Sequence, residues 1–228
     1  MTLFAPHWEM LPPPQRQIWP RLAAAAGQGL VLYGGTAVAL RLGHRTSVDF
    51  DLFTEKRLDR KQLANGFAFL GESTVIQDRP DTLSVLAPVD GGAVKISFFG
   101  EIAIGRIGVP DPTPDGVLEV ASLLDLLATK LKVMQQRIEA KDYVDVAAML
   151  RAGIRLESGL AAAQALHAPQ FQPSEAIKAL TYFEGGDLAS LPAGDRDLLT
   201  RAVTDVRRVP LMGLASRSLS AQAAEHQI

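Results

Sequence analysis

The stretch from Leu30 to Phe53 constrains this chain more than any other, because four different local patterns follow one another without a gap. Leu30 to Tyr33 is a short apolar run bounded by glycines, which reads as a buried strand. Gly34-Gly35 follows, and Thr36-Ala-Val-Ala-Leu-Arg-Leu-Gly43 reads as a short helix. Ser47-Val-Asp-Phe-Asp-Leu-Phe53 alternates strictly and reads as a second strand. Residues two apart on a strand share a face, so Asp49 and Asp51 point one way while Val48, Phe50 and Leu52 point into a core.

Two carboxylates roughly 7 Å apart along a strand can converge on a hard cation. Leaving them buried and unpaired would be costly, so a cation is expected. Mg²⁺ (or Mn²⁺) suits the pair, because magnesium favours one or two carboxylates together with substrate phosphates. Gly34 and Gly35 let a ligand approach the backbone, and the amides opening the Thr36 helix offer an anion site to which the Thr36 hydroxyl can add a donor. Taken singly, a Gly-Gly after a strand reads as a simple turn, and an Asp-x-Asp as an exposed strand face. Joined in this order, they suggest phosphoryl or nucleotidyl transfer.

The rest of the chain supplies the frame. Its 228 residues allow one large or two small domains, and 47% hydrophobic with 21% charged residues is the profile of a soluble protein with a sizeable core. With no cysteine, disulfides and Cys-ligated zinc, haem or iron–sulfur sites are ruled out. His7, His44, His167 and His226 show no metal-ligand spacing. A net charge of −2 excludes a globally basic coat for nucleic acid but not a local basic patch. No apolar run is long enough to span a membrane, and the opening MTLFAPHWEM lacks the pattern of a signal peptide, so a cytoplasmic globular protein is expected.

A helix is predicted over Gln15 to Ala26 and another over Glu55 to Leu70. Strands are predicted over Leu83 to Val89 and Ala93 to Phe99, joined by Asp90-Gly91-Gly92, with one further strand over Gly100 to Val109. The segment Pro110 to Gly116 holds three prolines and is the predicted boundary. Beyond it Ser122 and Asp125 have capping-box spacing ahead of a helix over Leu123 to Ile138. Helices over Lys141 to Leu150 and near 158–168, 174–183 and 194–208 make the second half all-helical.

The run GGTAVALRLGHRTSVDFDLF resembles the signature of the AbiEii/AbiGii-toxin-type nucleotidyltransferases, a branch of the polymerase-β-like nucleotidyltransferase superfamily. Asp125-Leu-Leu-Ala-Thr-Lys-Leu131 and Arg137-Ile-Glu-Ala-Lys-Asp-Tyr-Val-Asp145 resemble the helical motifs of the same family, and the likeness covers roughly residues 29–150. It implies an α/β (α+β) protein: a nucleotidyltransferase-fold mixed sheet with flanking helices over residues 1–115, then a C-terminal helical domain over 116–228 that closes the cleft. It also implies that Gly34, Gly35 and Thr36 hold a nucleoside triphosphate, that Asp49 and Asp51 hold Mg²⁺, and that Lys130 contacts the nucleotide or its phosphates. Asp142 and Asp145 match a Lys-Asp-x-x-Asp element lining the cleft, and their spacing puts both on one side of a helix. Asp142 could equally be a helix cap, and Lys130 by itself an ordinary solvated lysine.

Many superfamily members carry a third carboxylate on a neighbouring strand. The corresponding strand here, Val94 to Phe99, offers Lys95 and Ser97 to that face. A serine cannot serve as base or strong Mg²⁺ ligand, so Asp145 is the first candidate base, and Lys95 could stabilise phosphate charge or lie on an exposed strand face. His44 and Arg45 either touch phosphate or acceptor, or brace their loop. Ten of the 23 basic residues fall in 41–61 and 130–141, which could guide a polyanion such as tRNA or form solvated helix faces. The resemblance implies a toxin of a toxin–antitoxin pair, acting on tRNA 3′ ends or another acceptor and neutralised by a partner antitoxin. The competing readings are nucleotidylation of a protein or small molecule, and a catalytically silent nucleotide-binding module.

Overall fold

The computed structural model describes residues 4–222, so His226 and the first three residues of the opening segment lie outside it. The chain divides into two compact units. One comprises the residues up to Ser122 together with those from Ser216 onward, and the other is Leu123–Ala215.

The first unit is a mixed sheet with short helices. Its helices are α1 (Pro13–Ile18), α2 (Ala24–Gly27), α3 (Gly34–Leu42) and α4 (Arg60–Gly66). Its strands are β1 (Val31–Tyr33), β2 (Asp49–Phe53), β3 (Thr74–Arg79), β4 (Thr82–Val89), β5 (Gly92–Phe99), β6 (Asp111–Pro112) and β7 (Glu119–Val120). They lie in the order β3-β4-β5-β2-β1-β7-β6. β2 runs parallel to β5 and antiparallel to β1, and β1 runs parallel to β7. Leu32, Phe50, Leu52, Val85, Ile96 and Phe98 fill one face and are almost completely buried. Trp19 packs 5.9 Å from Phe50 on that side, and its indole donates to Asp115 at 2.8 Å.

Local chemistry explains the main boundaries. Asp90-Gly91 makes the two-residue turn between β4 and β5, with Gly91 at φ +79°, as the predicted hairpin requires. Gly43 ends α3 in the left-handed conformation, its amide donating to Ala39 O at 2.8 Å. The carboxylate of Asp59 caps α4 by accepting from the amides of Lys61 and Gln62.

Several expectations are corrected. Val48 is 61% exposed, because β2 begins one residue later at Asp49. The helix expected over Glu55 to Leu70 shortens to α4 and a 3₁₀ turn over Ala68–Glu72. Gly100 to Val109 forms no strand. Its one ladder contact is an isolated bridge from Arg106 to Ser216. β3 was not expected at all, since every residue of this edge strand is exposed and its sequence shows no alternation.

The segment from Ser216 to Gln222 is held on the first unit by two carboxylates. Glu55 accepts from Ser218 Oγ at 2.9 Å and from the Leu219 amide at 3.1 Å. Glu119, 2% exposed, accepts from the Ala221 amide at 3.2 Å.

The second unit is helical: α5 (Leu123–Val133), α6 (Ala140–Arg151), α7 (Leu156–His167), α8 (Pro173–Thr181) and α9 (Ala193–Asp205). Its core holds Leu127, Leu131, Val146, Met149, Leu160 and Leu199. Gly159 lets α7 approach α5 closely, because a methyl group there would meet Leu127 Cγ at 2.7 Å. α5 stops at Val133 rather than Ile138, and residues 134–139 form a loop.

Candidate active site

The register of β1, β2 and β5 builds the site. Asp51 lies opposite Tyr33 on one side and Ser97 on the other, while Asp49 lies opposite Lys95. Paired residues share a face, so both aspartates, Lys95 and Ser97 project from the side of the sheet away from the Phe50 and Leu52 core. Asp49 and Asp51 are each half-buried, and Lys95 Nζ stands 3.8 Å from Asp49 Oδ2.

Gly34 and Gly35 open α3 beside this pair. Gly34 has φ +71°, and a methyl group there would collide with the Asp51 carboxylate. At Gly35 it would meet Arg45 Nη2 at 2.6 Å and Ser47 Oγ at 3.0 Å. Each glycine therefore leaves room that a polar side chain borders. The N-cap residue of α3, Tyr33, makes no side-chain cap bond, and the helix opens at Gly34 against the Asp51 carboxylate.

Thr36 differs from expectation. It is 1% exposed, and its hydroxyl donates to the backbone oxygen of Asp49 rather than pointing out as a phosphate donor. A buried hydroxyl must find a partner, and this one ties α3 to β2. Arg45 donates to Thr46 O at 3.1 Å while its other guanidinium nitrogen covers Gly35. Ser97 is buried and accepts from Ser84 Oγ at 2.9 Å, so the position opposite Asp51 carries a hydroxyl pair.

Lys130, Asp142 and Asp145 come together in the second unit. Lys130 Nζ lies 2.7 Å from Asp142 Oδ1 and 2.6 Å from Asp145 Oδ2, with both carboxylates fully buried. Arg137 Nε adds a bond of 2.9 Å to Asp142 Oδ2. Burial pushes the Asp142 carboxyl up, but the Arg137 hydrogen bond and the Lys130 charge outweigh it and hold it below the usual carboxylate range. Asp142 is thus one of four members of an ion-pair cluster, not a helix cap.

Of the ten basic residues that could guide a polyanion or form solvated helix faces, several serve internal contacts. Arg41 donates to Ala121 O at 2.6 Å and Val120 O at 2.8 Å, and pairs with Asp111. Arg60 pairs with Asp78 at 2.7 Å. Ser47 was missed by sequence reading, although its place two residues before Asp49 on the alternating segment put it on the same side.

Among the described residues no group of three or more His, Cys, Asp or Glu side chains could hold a metal unaided. Two strand carboxylates with room for phosphate oxygens nonetheless fit magnesium, which takes few protein ligands when a phosphate substrate completes its shell.

A central strand bearing two same-face carboxylates, flanked by a glycine-opened helix, defines the nucleotidyltransferase fold. MenT4, the nucleotidyltransferase toxin Rv2826c from Mycobacterium tuberculosis H37Rv, shares this fold, with a TM-score of 0.52 over 82% of each chain at 13% identity. The chain belongs to the family of the nucleotidyl transferase AbiEii toxin, type IV toxin–antitoxin system, whose model matches residues 18–205. An uncharacterized protein of Aquifex aeolicus (strain VF5), aq_aa25, is 34% identical over 122 residues, which are 53% of this chain. The match spans 57% of that relative's length. No helix among the described residues is long and apolar enough to cross a membrane.

Proposed function

We propose that the protein transfers a nucleoside monophosphate from a nucleoside triphosphate to an acceptor hydroxyl. The observation that carries this reading is the placement of Asp49 and Asp51 on one face of β2, with Asp51 directly beside the glycine-opened start of α3 at Gly34 and Gly35. The α3 amides and the Arg45 guanidinium would bind the triphosphate oxygens, and Thr36 would contribute through its backbone only. Asp49 and Asp51 would hold Mg²⁺ or Mn²⁺, which neutralises charge on the phosphates and on the leaving pyrophosphate. Lys95, close to Asp49, would place a further positive charge near the transferring group.

The acceptor oxygen forms a bond to the α-phosphorus, the bond from that phosphorus to the bridging oxygen breaks, and pyrophosphate leaves. The acceptor proton passes to bulk water. Asp145 was the first candidate from sequence, and its carboxylate is engaged by Lys130. Lys130 is likewise engaged, so both are assigned to the buried ion-pair cluster of the second unit. Family membership supports a toxin role with a partner antitoxin, and tRNA is the acceptor we propose.

The test incubates the protein with Mg²⁺, each α-labelled nucleoside triphosphate in turn, and total tRNA, beside an Asp49→Asn/Asp51→Asn variant. Label in tRNA with the wild type alone is the expected result. Label on protein or on a small molecule moves the acceptor. The Ser97–Ser84 pair in place of a third carboxylate favours a second reading, a silent nucleotide binder, and binding without transfer to any acceptor would establish it.

A further inference from the structure

The proposed site uses the first turn of α3, and the direction of that helix decides where its opening amides point. The helix has nine residues, from Gly34 to Leu42, and so is about 13 Å long. It starts on Gly34, at φ +71°, and Gly35, two residues whose backbone freedom would by itself let the helix tilt. Two ties prevent this. Near the start, the Thr36 hydroxyl donates to Asp49 O. At the last turn the tie is Arg41.

Arg41 Nε donates to Ala121 O at 2.6 Å, and Nη2 donates to Val120 O and to the Asp111 carboxylate, each at 2.8 Å. The Ala121 amide donates in turn to Leu32 O at 3.0 Å, two residues before Gly34. The end of α3 is therefore fastened to chain that is itself bonded to the strand from which α3 emerges. From the other side the Phe4 ring lies 4.7 Å from Arg41 Cζ, and the His7 amide donates to Leu40 O at 2.8 Å. A methyl group at Gly43 would meet the His7 ring, so this segment sits directly on the helix end.

Such an arrangement contributes little net stability. The Arg41 side chain is 9% exposed while its acid partner is 46% exposed, so the guanidinium loses most of its water for a half-solvated ion pair and two carbonyls. What the planar fork supplies is geometry, because its donors match one placement of two successive carbonyls. We propose that Arg41 is a positioning residue for the nucleoside triphosphate: by fixing the far end of α3 on β7, it holds the helix's opening at Gly34 against the Asp51 carboxylate. A helix freed at that end tilts about Gly34 and turns its first amides off the phosphate oxygens, and a hydrogen bond weakens steeply with angle. Arg41 touches neither phosphate nor metal. The proposal deepens the nucleotidyltransferase reading and rests on it.

The test is calorimetry of the full chain with Mg²⁺ and ATP, GTP, CTP and UTP in turn, beside the urea midpoint of each variant. Arg41→Met is expected to weaken the tightest triphosphate about tenfold or more. Arg41→Lys keeps the charge but loses the fork, and its affinity falls between the two. Asp111→Asn leaves both carbonyl bonds in place and keeps the wild-type affinity. A residue that only stabilised the fold would lower the urea midpoint and leave the affinity of the folded protein unchanged. That result in Arg41→Met overturns the proposal, as does an equal loss of affinity in Asp111→Asn. If Arg41→Met does not fold, Arg41→Lys decides by the same comparison. A wild type that binds a triphosphate but transfers to no acceptor overturns the transfer chemistry and leaves Arg41 standing. A wild type that binds none overturns both.

Discussion

At the scale of single residues, the site depends on what two glycines leave open. Gly34→Ala introduces a side chain at φ +71° and drives it into the Asp51 carboxylate. The left-handed conformation alone costs about 1–2 kcal/mol, and the displaced carboxylate adds loss of metal binding. Expected results are a lowered melting temperature and no calorimetric signal for Mg²⁺-ATP. Lys130→Met leaves Asp142 and Asp145 buried without their lysine, at a cost of about 3–5 kcal/mol in urea unfolding. Unchanged stability with lost transfer would instead make Lys130 catalytic.

Two groups weaken the fold as pH falls, each over its own window. Burial, reinforced by the Lys132 charge, holds His167 down at about 4. Its unfolded value is about 6.5, so below that pH the unfolded chain takes a proton that the fold refuses. Its penalty is absent above about 6.5 and grows as pH falls to 4. Asp142 lies below its ordinary value, so its contribution is present above about pH 4 and is lost only as pH falls through the lowered value. His167→Leu should therefore flatten the urea midpoint between pH 6.5 and 4 and leave the steeper loss below 4. The Asp49/Asp51 pair was legible in sequence, because period-two alternation shows which side chains share a face. The Thr36 hydroxyl was not, since a backbone carbonyl 13 residues away leaves no trace in residue type.

At the scale of elements, what could be read depended on whether a segment's own residues specify it. Gly43 as a helix stop and Asp90-Gly91 as a hairpin turn are local choices of backbone conformation. The same logic makes Asp59→Ala a modest change, costing about 1 kcal/mol and fraying the start of α4 in amide exchange. β3 carries no such signal. An edge strand exposed along its whole length pairs through backbone groups that every residue possesses, and β4 decides its existence. β6 and β7, two residues each, are likewise decided by their neighbours, with Arg41 of α3 fastening them through Val120 O and Asp111.

At the scale of the whole molecule, the predicted division at 115/116 and the two observed units differ in two places. The first unit extends through Ser122 because β7 joins β1, and it reclaims the chain from Ser216. A chain ended at Ala215 should lose the hydrogen bonds at Glu55 and Glu119 and the buried Leu219. Amide exchange should then quicken in β1 and β7 while α5 to α7 keep their protection. What the sequence by itself determined was the strand–glycine–helix–strand unit, its two aspartates, and an α/β half followed by a helical half. Those follow from periodicity and from residues with special backbone freedom, both local properties. Only the tertiary structure decided that Lys130 lies between Asp142 and Asp145, that Ser97 pairs with Ser84, and that the chain's last described residues return to the first unit. Each joins residues distant in the chain, and the burial that makes such a contact strong exists only once the fold has closed around it.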